Sequence, residues 1–188
     1  MTPHRLWIAR HAPVLLPPGT CYGQLDAPAD PVVSAASAQR LAERLPRGIS
    51  ARHSPLQRCA LLARQLQMLR PDIAATPDER LIEMDFGSWE GLAWAAIART
   101  EIDAWSTHFA DHRPGGGDCL AQMLDRVSAA LQDVRQLQSD TLWISHAGVA
   151  RCVQWLLEQP GRQGKYPTSA QWPLQAPAPG QWACYALT

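Results

Sequence analysis

Short apolar runs that end in polar residues alternate along this chain with longer segments whose apolar residues recur at helical spacing. Arg5–Ala9 and Thr141–Ser145 are compact apolar runs bounded by turn-forming or polar residues, which predicts buried strands. Gly48–His53 is a third predicted strand, and Ser34–Leu45 carries small or apolar residues at helical spacing. Strands alternating with helices predict an α/β fold, a three-layer sandwich with a mostly parallel central sheet and helices on both faces.

The same rules predict further elements. Ser54 is a suitable N-cap and Pro55 a suitable first residue for a helix to about Leu69. Asp118 is suited to cap a helix that ends near Leu137. We also expect a strand at Ile73–Ala75, a helix at Leu92–Ala110, a helix from Ala147 to about Leu157, irregular chain at Gln159–Gly180 and a strand in the final WACYAL. No repeat or linker divides the sequence, so residues 1–188 are expected to form one domain.

Composition narrows the possible classes of protein. The 188 residues carry a formal net charge of zero, with 46% hydrophobic and 18% charged residues, as in an ordinary globular domain. No basic run suggests nucleic acid as a partner, and no apolar run is long enough to span a membrane or resembles a signal peptide. We therefore expect a cytoplasmic protein. Its oligomeric state is left open, with a homodimer as one possible state.

Metal chemistry has little support in the sequence, so neither a metal nor a cofactor is expected. The five cysteines are scattered without a CxxC pair, which favours neither a zinc site nor a disulfide framework. We expect them to act as small apolar residues. His108 and His112 have the spacing of a helical metal pair but lack a third ligand at a matching spacing, which favours a structural role.

Arginine and histidine follow predicted strands at three similar junctions. Arg10 and His11 leave the first strand, and His146 leaves the TLWIS strand. Arg58 lies one turn into the helix that follows the Gly48–His53 strand. Ligand sites in open α/β sheets form where parallel strands end, so these side chains are expected to converge. Guanidinium groups, imidazoles and helix N-termini together favour a phosphate-like dianion.

Four sequence blocks carry a family resemblance. RHAP, HSPLQR, EMDFGSWEG and SHAGVAR, in this order between Leu6 and Arg151, resemble the motifs of the histidine phosphatase superfamily, which is also called phosphoglycerate mutase-like. The resemblance implies a phosphoglycerate mutase-like fold and metal-independent hydrolysis of a small-molecule phosphomonoester. Within the superfamily, PPGTCYGQLDAP, LIEMDFGSWEG and RPGGGDCLAQM most resemble the α-ribazole phosphatase group, which acts in assembly of the cobalamin lower ligand.

The resemblance also implies roles for individual residues. His11 would be the nucleophile that becomes phosphorylated, and Glu83 would give a proton to the leaving alcohol. The phosphoryl oxygens would be held by Arg10, Arg58 and His146. Apart from the resemblance, we expect Ala147, at the start of the last helix, to contact the substrate. Gln24 would do so if the CYGQLD loop reaches the pocket, and would otherwise be a turn residue.

Several alternatives stand beside these roles. Asp85 and Glu90 compete with Glu83 as the acid, although we expect Asp85 to bond the following turn and Glu90 to lie at a helix N-terminus. Among the eight tryptophans, Trp89 is the one expected to line a pocket. The glycines at 115–117 lack the context of a P-loop and are expected to form a mobile loop at the pocket mouth.

The sequence departs from the family pattern at two places. Ala12 stands where glycine usually follows the motif histidine, and Asp118-Cys119 replace the usual Glu-Ser. Neither change removes a proposed catalytic residue, so activity is expected. Other possible functions are a broad-specificity phosphatase, a phosphoglycerate mutase and a non-catalytic phosphate-binding module.

Overall fold

A five-stranded sheet with helices packed on both faces forms the centre of the protein, as seen in a computed structural model that describes residues 4–158 and 166–187. The strands are His4–Arg10 (β1), Ser50–His53 (β2), Thr76–Pro77 (β3), Thr141–Ser145 (β4) and Trp182–Leu187 (β5). The α-helices are Pro31–Arg44 (α1), Gln57–Leu69 (α2), Arg99–Thr107 (α3), Leu120–Leu137 (α4) and Ala147–Glu158 (α5). The predicted α/β fold with helices on both faces is confirmed.

The order of the strands brings the distant motifs together. The sheet runs β3-β2-β4-β1-β5, and only β5 is antiparallel to its neighbour. In the β1–β4 pair, Arg10 lies opposite Ser145. The residues that follow, His11 and His146, therefore leave the same edge of the sheet side by side.

Alternation along β1 divides the core into two layers. Leu6 and Ile8 pack with α4 and α5, whereas Trp7 and Ala9 pack with α1 and α2 on the opposite face. Successive strand residues point to opposite faces, so a strand buried on both sides reads as a continuous apolar run. Each large aliphatic side chain buried in this way contributes about 1.5–3 kcal/mol. This burial fixes the position of the strand end that carries His11.

Two predicted helix starts are wrong by one turn or less. Helix α2 begins at Gln57, and Ser54 lies before it with its hydroxyl near the backbone N–H of Leu56, at 3.4 Å. The Ser54 hydroxyl instead has a closer partner in His146, as described below. Helix α4 begins at Leu120 with Cys119 at the N-cap position, because the Asp118 side chain turns toward other loops.

Other boundaries also differ from the predictions. The helix expected at Leu92–Ala110 is shorter, because a 3₁₀ turn at Trp94–Ala96 precedes α3. The strand expected at Ile73–Ala75 is observed as β3, which begins later along the chain, at Thr76. Ile73 lies before the strand and packs in the core. The irregular chain expected at Gln159–Gly180 is observed from residue 166 onward with one short 3₁₀ turn, and residues 159–165 lie outside the described residues. Across the described part of the chain, no helix has the length and hydropathy needed to span a membrane.

Candidate active site

A cavity of about 370 Å³ opens where β1 and β4 end. One part of its lining, here called the polar end, is formed by Arg10, His11 and Glu83, with the backbone of Ala147 and Gly148 beside them. The rest is mostly apolar, and its rings form what we call the aromatic end: Phe86, Trp94, Trp105, Phe109 and Trp172. Arg151, Tyr22 and a few aliphatic side chains complete the lining.

His11 is held in one orientation at the floor of the cavity. Its backbone N–H donates to Ser145 O at 3.1 Å, and its ring Nδ1 donates to the carbonyl of Ala12 at 2.7 Å. Because a carbonyl can only accept, the proton is on Nδ1 and the lone pair is on Nε2. The pKa of His11 is lowered from 6.5 to about 3, mainly by burial and also by the charges of Arg58 and Arg10, against the raising effect of the Ala12 bond. The ring is therefore a neutral imidazole at physiological pH.

Arg10 lines the cavity beside His11. Its Nη1 donates to the carbonyl of Pro177 at 3.1 Å, while its buried Nε has no hydrogen-bond partner among the described residues. A guanidinium with unused donors facing a cavity favours an anion there.

Arg58 and His146 lie behind His11, fully buried, and do not line the cavity. The two histidine ring centroids are 5.2 Å apart. Arg58 Nε donates to His146 Nδ1 at 3.3 Å, so Nε2 carries the proton of the neutral ring and donates to Ser54 Oγ at 2.8 Å. Burial, followed by the charge of Arg58, lowers the pKa of His146 well below its usual value. Both ring nitrogens of His146 are therefore engaged by neighbouring side chains.

Glu83, the first residue of EMDFGSWEG, reaches the cavity from the segment before the 3₁₀ turn at Gly87–Trp89. Its Oε2 accepts from the backbone N–H of Gly148 at 2.9 Å, in the first turn of α5. A Cβ atom at Gly148 would overlap Glu83 Oε1, so this contact requires glycine. Arg126 on α4 fixes the segment from below, since its guanidinium donates to the carbonyls of Ile82 and Glu83. The carboxyl group is thus placed by two helices that are remote from it in sequence.

Ala147 and Gln24, the two expected substrate contacts, occupy different positions. Ala147 lines the cavity, as expected for a substrate contact. Gln24 does not, because its amide donates to the carbonyl of Glu83 at 3.1 Å and to Asp118 at 3.3 Å. Asp118 accepts this bond and lies 3.9 Å from Arg126, so the departure at this position joins two loops under the site.

The competing carboxylates have structural contacts. Asp85 accepts from the backbone N–H of Gly87 at 2.7 Å, which confirms the expected turn bond. The prediction that Glu90 lies at a helix N-terminus is wrong, since it follows a 3₁₀ turn. Its carboxylate accepts the backbone N–H groups of Gln24 and Phe86, at 2.8 and 2.9 Å, and that of Leu25. Neither carboxylate lines the cavity.

The aromatic end was not predicted from the sequence. The rings form a continuous series, with centroids 5.8 Å apart for Phe86 and Trp105 and 5.5 Å apart for Trp105 and Phe109. Trp172 extends it, 6.0 Å from Phe109. Trp89, the ring expected in the pocket, is instead buried against Cys21 and Ile97, because the turn directs it inward. The four-residue spacing of Trp105 and Phe109 could have indicated that the two rings share one face. Nothing in the sequence indicated that Trp172 would join them in the cavity.

Two other expectations concern loops and metals. The glycines at 115–117 pack backbone to backbone against residues 85–88 and do not line the cavity, contrary to their expected position at its mouth.

The cysteines are free; four are buried, and Cys184 is exposed. In residues 4–158 and 166–187, no three His, Cys, Asp or Glu side chains are grouped as metal ligands would be.

Comparisons with known proteins agree with this geometry. Residues 6–169 match the family model of the histidine phosphatase superfamily (branch 1). A metal-independent phosphoserine phosphatase of Arabidopsis thaliana is 31% identical over 101 residues, which cover 50% of this chain and 42% of that protein. The chain therefore spans less than half the length of this curated relative.

Solved structures share the fold over nearly the whole chain. A mycobacterial glucosyl-3-phosphoglycerate phosphatase superposes with a TM-score of 0.80 at 23% identity, covering 97% of this chain and 89% of that one. The protein TTHB049 from Thermus thermophilus gives a TM-score of 0.71 at 25% identity, with coverages of 96% and 92%. With a family model that spans most of its length, this chain belongs to the histidine phosphatase superfamily.

Proposed function

We propose that this protein hydrolyses phosphomonoesters through a phosphohistidine on His11, without a metal. The observation that carries the proposal is the state of that ring. It is neutral, its Nδ1 proton is directed to Ala12 O, and its Nε2 lone pair is available at a cavity that Glu83 also lines. A neutral imidazole held in one orientation is a competent nucleophile toward phosphorus.

Two displacements complete the reaction. In the first, His11 Nε2 forms a bond to phosphorus, the bond from phosphorus to the ester oxygen breaks, and the Glu83 carboxyl group gives its proton to that oxygen. In the second, water attacks the phosphohistidine, Glu83 takes a proton from the water, and the N–P bond breaks to release phosphate and neutral His11. A positioned acid or base typically contributes about 10²–10⁴-fold to such steps.

The arginines stabilise the charge on the transferred phosphoryl group. Arg10 lines the cavity, where its guanidinium provides a positive charge. Arg58 provides a buried positive charge directly behind the nucleophile. Such preorganised charges stabilise transition-state oxygens strongly where water is excluded. The proposed contact of His146 with a phosphoryl oxygen requires its Nε2–H to leave Ser54 Oγ when phosphate enters.

The intermediate gives a direct test. Rapid quenching of the enzyme during turnover of p-nitrophenyl phosphate, at alkaline pH to preserve the N–P bond, should yield a phosphorylated peptide containing His11. His11→Ala should lose the adduct and reduce kcat by at least about 10³-fold, in line with the loss of a covalent nucleophile. His108→Ala, which changes an exposed histidine outside the cavity, should retain both. Full activity of His11→Ala would refute the mechanism.

We further propose α-ribazole 5′-phosphate as the substrate. The sequence segments that resemble the α-ribazole phosphatase group support this, and the aromatic end provides a surface on which a planar base can stack. Arg151 lines the same cavity, and its guanidinium can donate to an acceptor on the leaving group.

The substrate proposal is tested by comparing kcat/KM for α-ribazole phosphate with kcat/KM for phosphoserine, phosphoglycerates, sugar phosphates and nucleotides. A preference of at least about 10²-fold is expected, since a large aromatic contact and a matched polar group each contribute about tenfold. A flat profile would remove this substrate but leave the phosphohistidine mechanism in place. Three interpretations of the sequence stay predictions. Limited proteolysis tests the single domain, cell fractionation tests the cytoplasmic location, and analytical ultracentrifugation tests for a homodimer.

A further inference from the structure

The loop between Tyr22 and Asp26 is held from two sides by opposite charges. On one side, the Glu90 carboxylate accepts the backbone N–H groups of Gln24, at 2.8 Å, and Leu25. On the other side, the Arg58 guanidinium donates to the carbonyl of Leu25, at 2.8 Å, and to that of Gly23. The backbone of residues 23–25 therefore lies between the Glu90 carboxylate and the Arg58 guanidinium and is hydrogen-bonded to both.

Arg58 depends on these carbonyls for its position. It is fully buried, and its only other hydrogen bond among the described residues is the 3.3 Å contact with His146. The ring of Tyr22 also lies near the guanidinium, 5.4 Å from its central carbon. A buried guanidinium whose terminal nitrogens bind two loop carbonyls moves when those carbonyls move.

The loop has little freedom on the Glu90 side. The same Glu90 oxygen that binds Gln24 also accepts from Phe86, at 2.9 Å, which ties the loop to the EMDFGSWEG turn. Gly23 lies so close to the Met84 carbonyl that a Cβ atom would overlap it. The two loops are therefore pressed together, and Glu90 satisfies the three backbone donors where they meet.

From this arrangement we propose that Glu90 is a positioning residue for the phosphate site, acting on Arg58 through the backbone of residues 23–25. Glu90 does not contact the cavity, and it contributes no charge or proton to the reaction. Its effect is to hold the Gly23 and Leu25 carbonyls at the separation that the guanidinium needs. This inference rests on the proposed function, in which Arg58 is a buried positive charge behind the nucleophile that stabilises phosphate in the cavity.

The variant Glu90→Gln tests the proposal with the smallest change in shape. The amide NH₂ of glutamine would face backbone donors, so at least one of the three hydrogen bonds is lost. We expect the dissociation constant for inorganic phosphate, measured by calorimetry, to rise about tenfold, since small misplacements of binding groups have large effects. Asp85→Asn is the matched control. It weakens a carboxylate–backbone bond in the same turn that does not involve residues 23–25, and phosphate affinity should stay within about twofold of wild type.

A double-mutant cycle separates positioning from general destabilisation. In an Arg58→Lys background, Glu90→Gln should change phosphate affinity by less than about twofold, because the group being positioned is absent. Amide hydrogen exchange at Gln24 and Leu25, measured in Glu90→Gln alone, should accelerate, while exchange in α4 stays unchanged. This second measurement does not depend on the stability of the Arg58 variant.

Two results would overturn the proposal. One is a Glu90→Gln protein with the phosphate affinity of wild type. The other is a tenfold loss that persists in full in the Arg58→Lys background. Phosphate binding needs no turnover, so these results are independent of the phosphohistidine test. If no phosphate were found on His11, the proposed function would be refuted, but the role of Glu90 would still be decided by the binding measurements.

Discussion

The two ends of the cavity are built on different principles. At the polar end, His11 and Glu83 are fixed by hydrogen bonds with a defined direction: His11 Nδ1–H donates to Ala12 O, and Gly148 N–H donates to Glu83. Behind them, Arg58 donates to His146. At the aromatic end, rings touch rings at centroid distances of about 5.5–6.4 Å, without directional bonds. The polar end is thus suited to one reacting group, whereas the aromatic end selects only size and planarity. Chemistry and specificity should respond separately to mutation.

The largest difference between substrates is expected from a change at Glu83, in the polar end. Glu83→Gln should lower kcat/KM, which reports the first displacement alone, about 10²–10⁴-fold for an alkyl phosphate, because the leaving alkoxide needs a proton. The loss should be much smaller for p-nitrophenyl phosphate, whose phenolate leaves without protonation. Steady-state kinetics on both substrates measure the ratio, with Glu79→Gln, an exposed carboxylate nearby in sequence, as control. An equal loss on both substrates would contradict the assignment of Glu83 as the acid.

The buried rings of the polar end should reduce stability in acid. The pKa of His11 is about 3 in the folded protein and 6.5 ordinarily, so between these values the unfolded chain binds a proton that the folded chain does not. Stability therefore falls as pH decreases below 6.5, by about 1.4 kcal/mol per pH unit for a single ring. Urea denaturation at pH 7.5, 6.0 and 5.0 should show a shallower decline for His11→Gln than for wild type. Parallel curves would refute this, and His108→Gln should leave the slope unchanged.

At the aromatic end, a change should affect selectivity more than chemistry. Trp105→Leu removes the ring that contacts Phe86, Trp94 and Phe109. We expect kcat/KM for 1-naphthyl phosphate to fall about tenfold, in keeping with one aromatic contact, with little change for glycerol phosphate. Trp182→Leu, on β5 and outside this cavity, is the matched control. Equal losses on both substrates would mean that the aromatic end supports the fold and not the leaving group.

The smallest effect is expected at Ala12, where the sequence departs from the family's glycine. The φ angle of Ala12 is not in the left-handed region, so its backbone has no need of glycine. Its carbonyl still accepts the His11 Nδ1–H. Ala12→Gly should change kcat/KM by less than about threefold and lower stability by about 0.5–1 kcal/mol, as glycine does in ordered backbone. A larger kinetic change would show that the methyl group shapes the polar end.

The polar end was largely predictable and the aromatic end was not. Arg10, His11 and His146 follow apolar runs, and parallel strands that end together bring such residues together. Gln24, by contrast, was expected to contact the substrate, yet it binds the Glu83 carbonyl and Asp118. The direction of a loop side chain depends on which neighbouring loop offers a partner, and local sequence does not record this.

The sequence by itself determined the strand–helix alternation and the edge at which the motif residues meet. These follow from local hydrophobic period and from residues adjacent to buried strands, whose ends are fixed by burial. Only the tertiary structure decided that Trp172 lines the cavity, that Glu90 accepts the backbone N–H groups of the loop carrying the Arg58 acceptors, and that Gly148 leaves space for Glu83. Each of these depends on contacts between segments far apart along the chain, which form only when the whole core has packed.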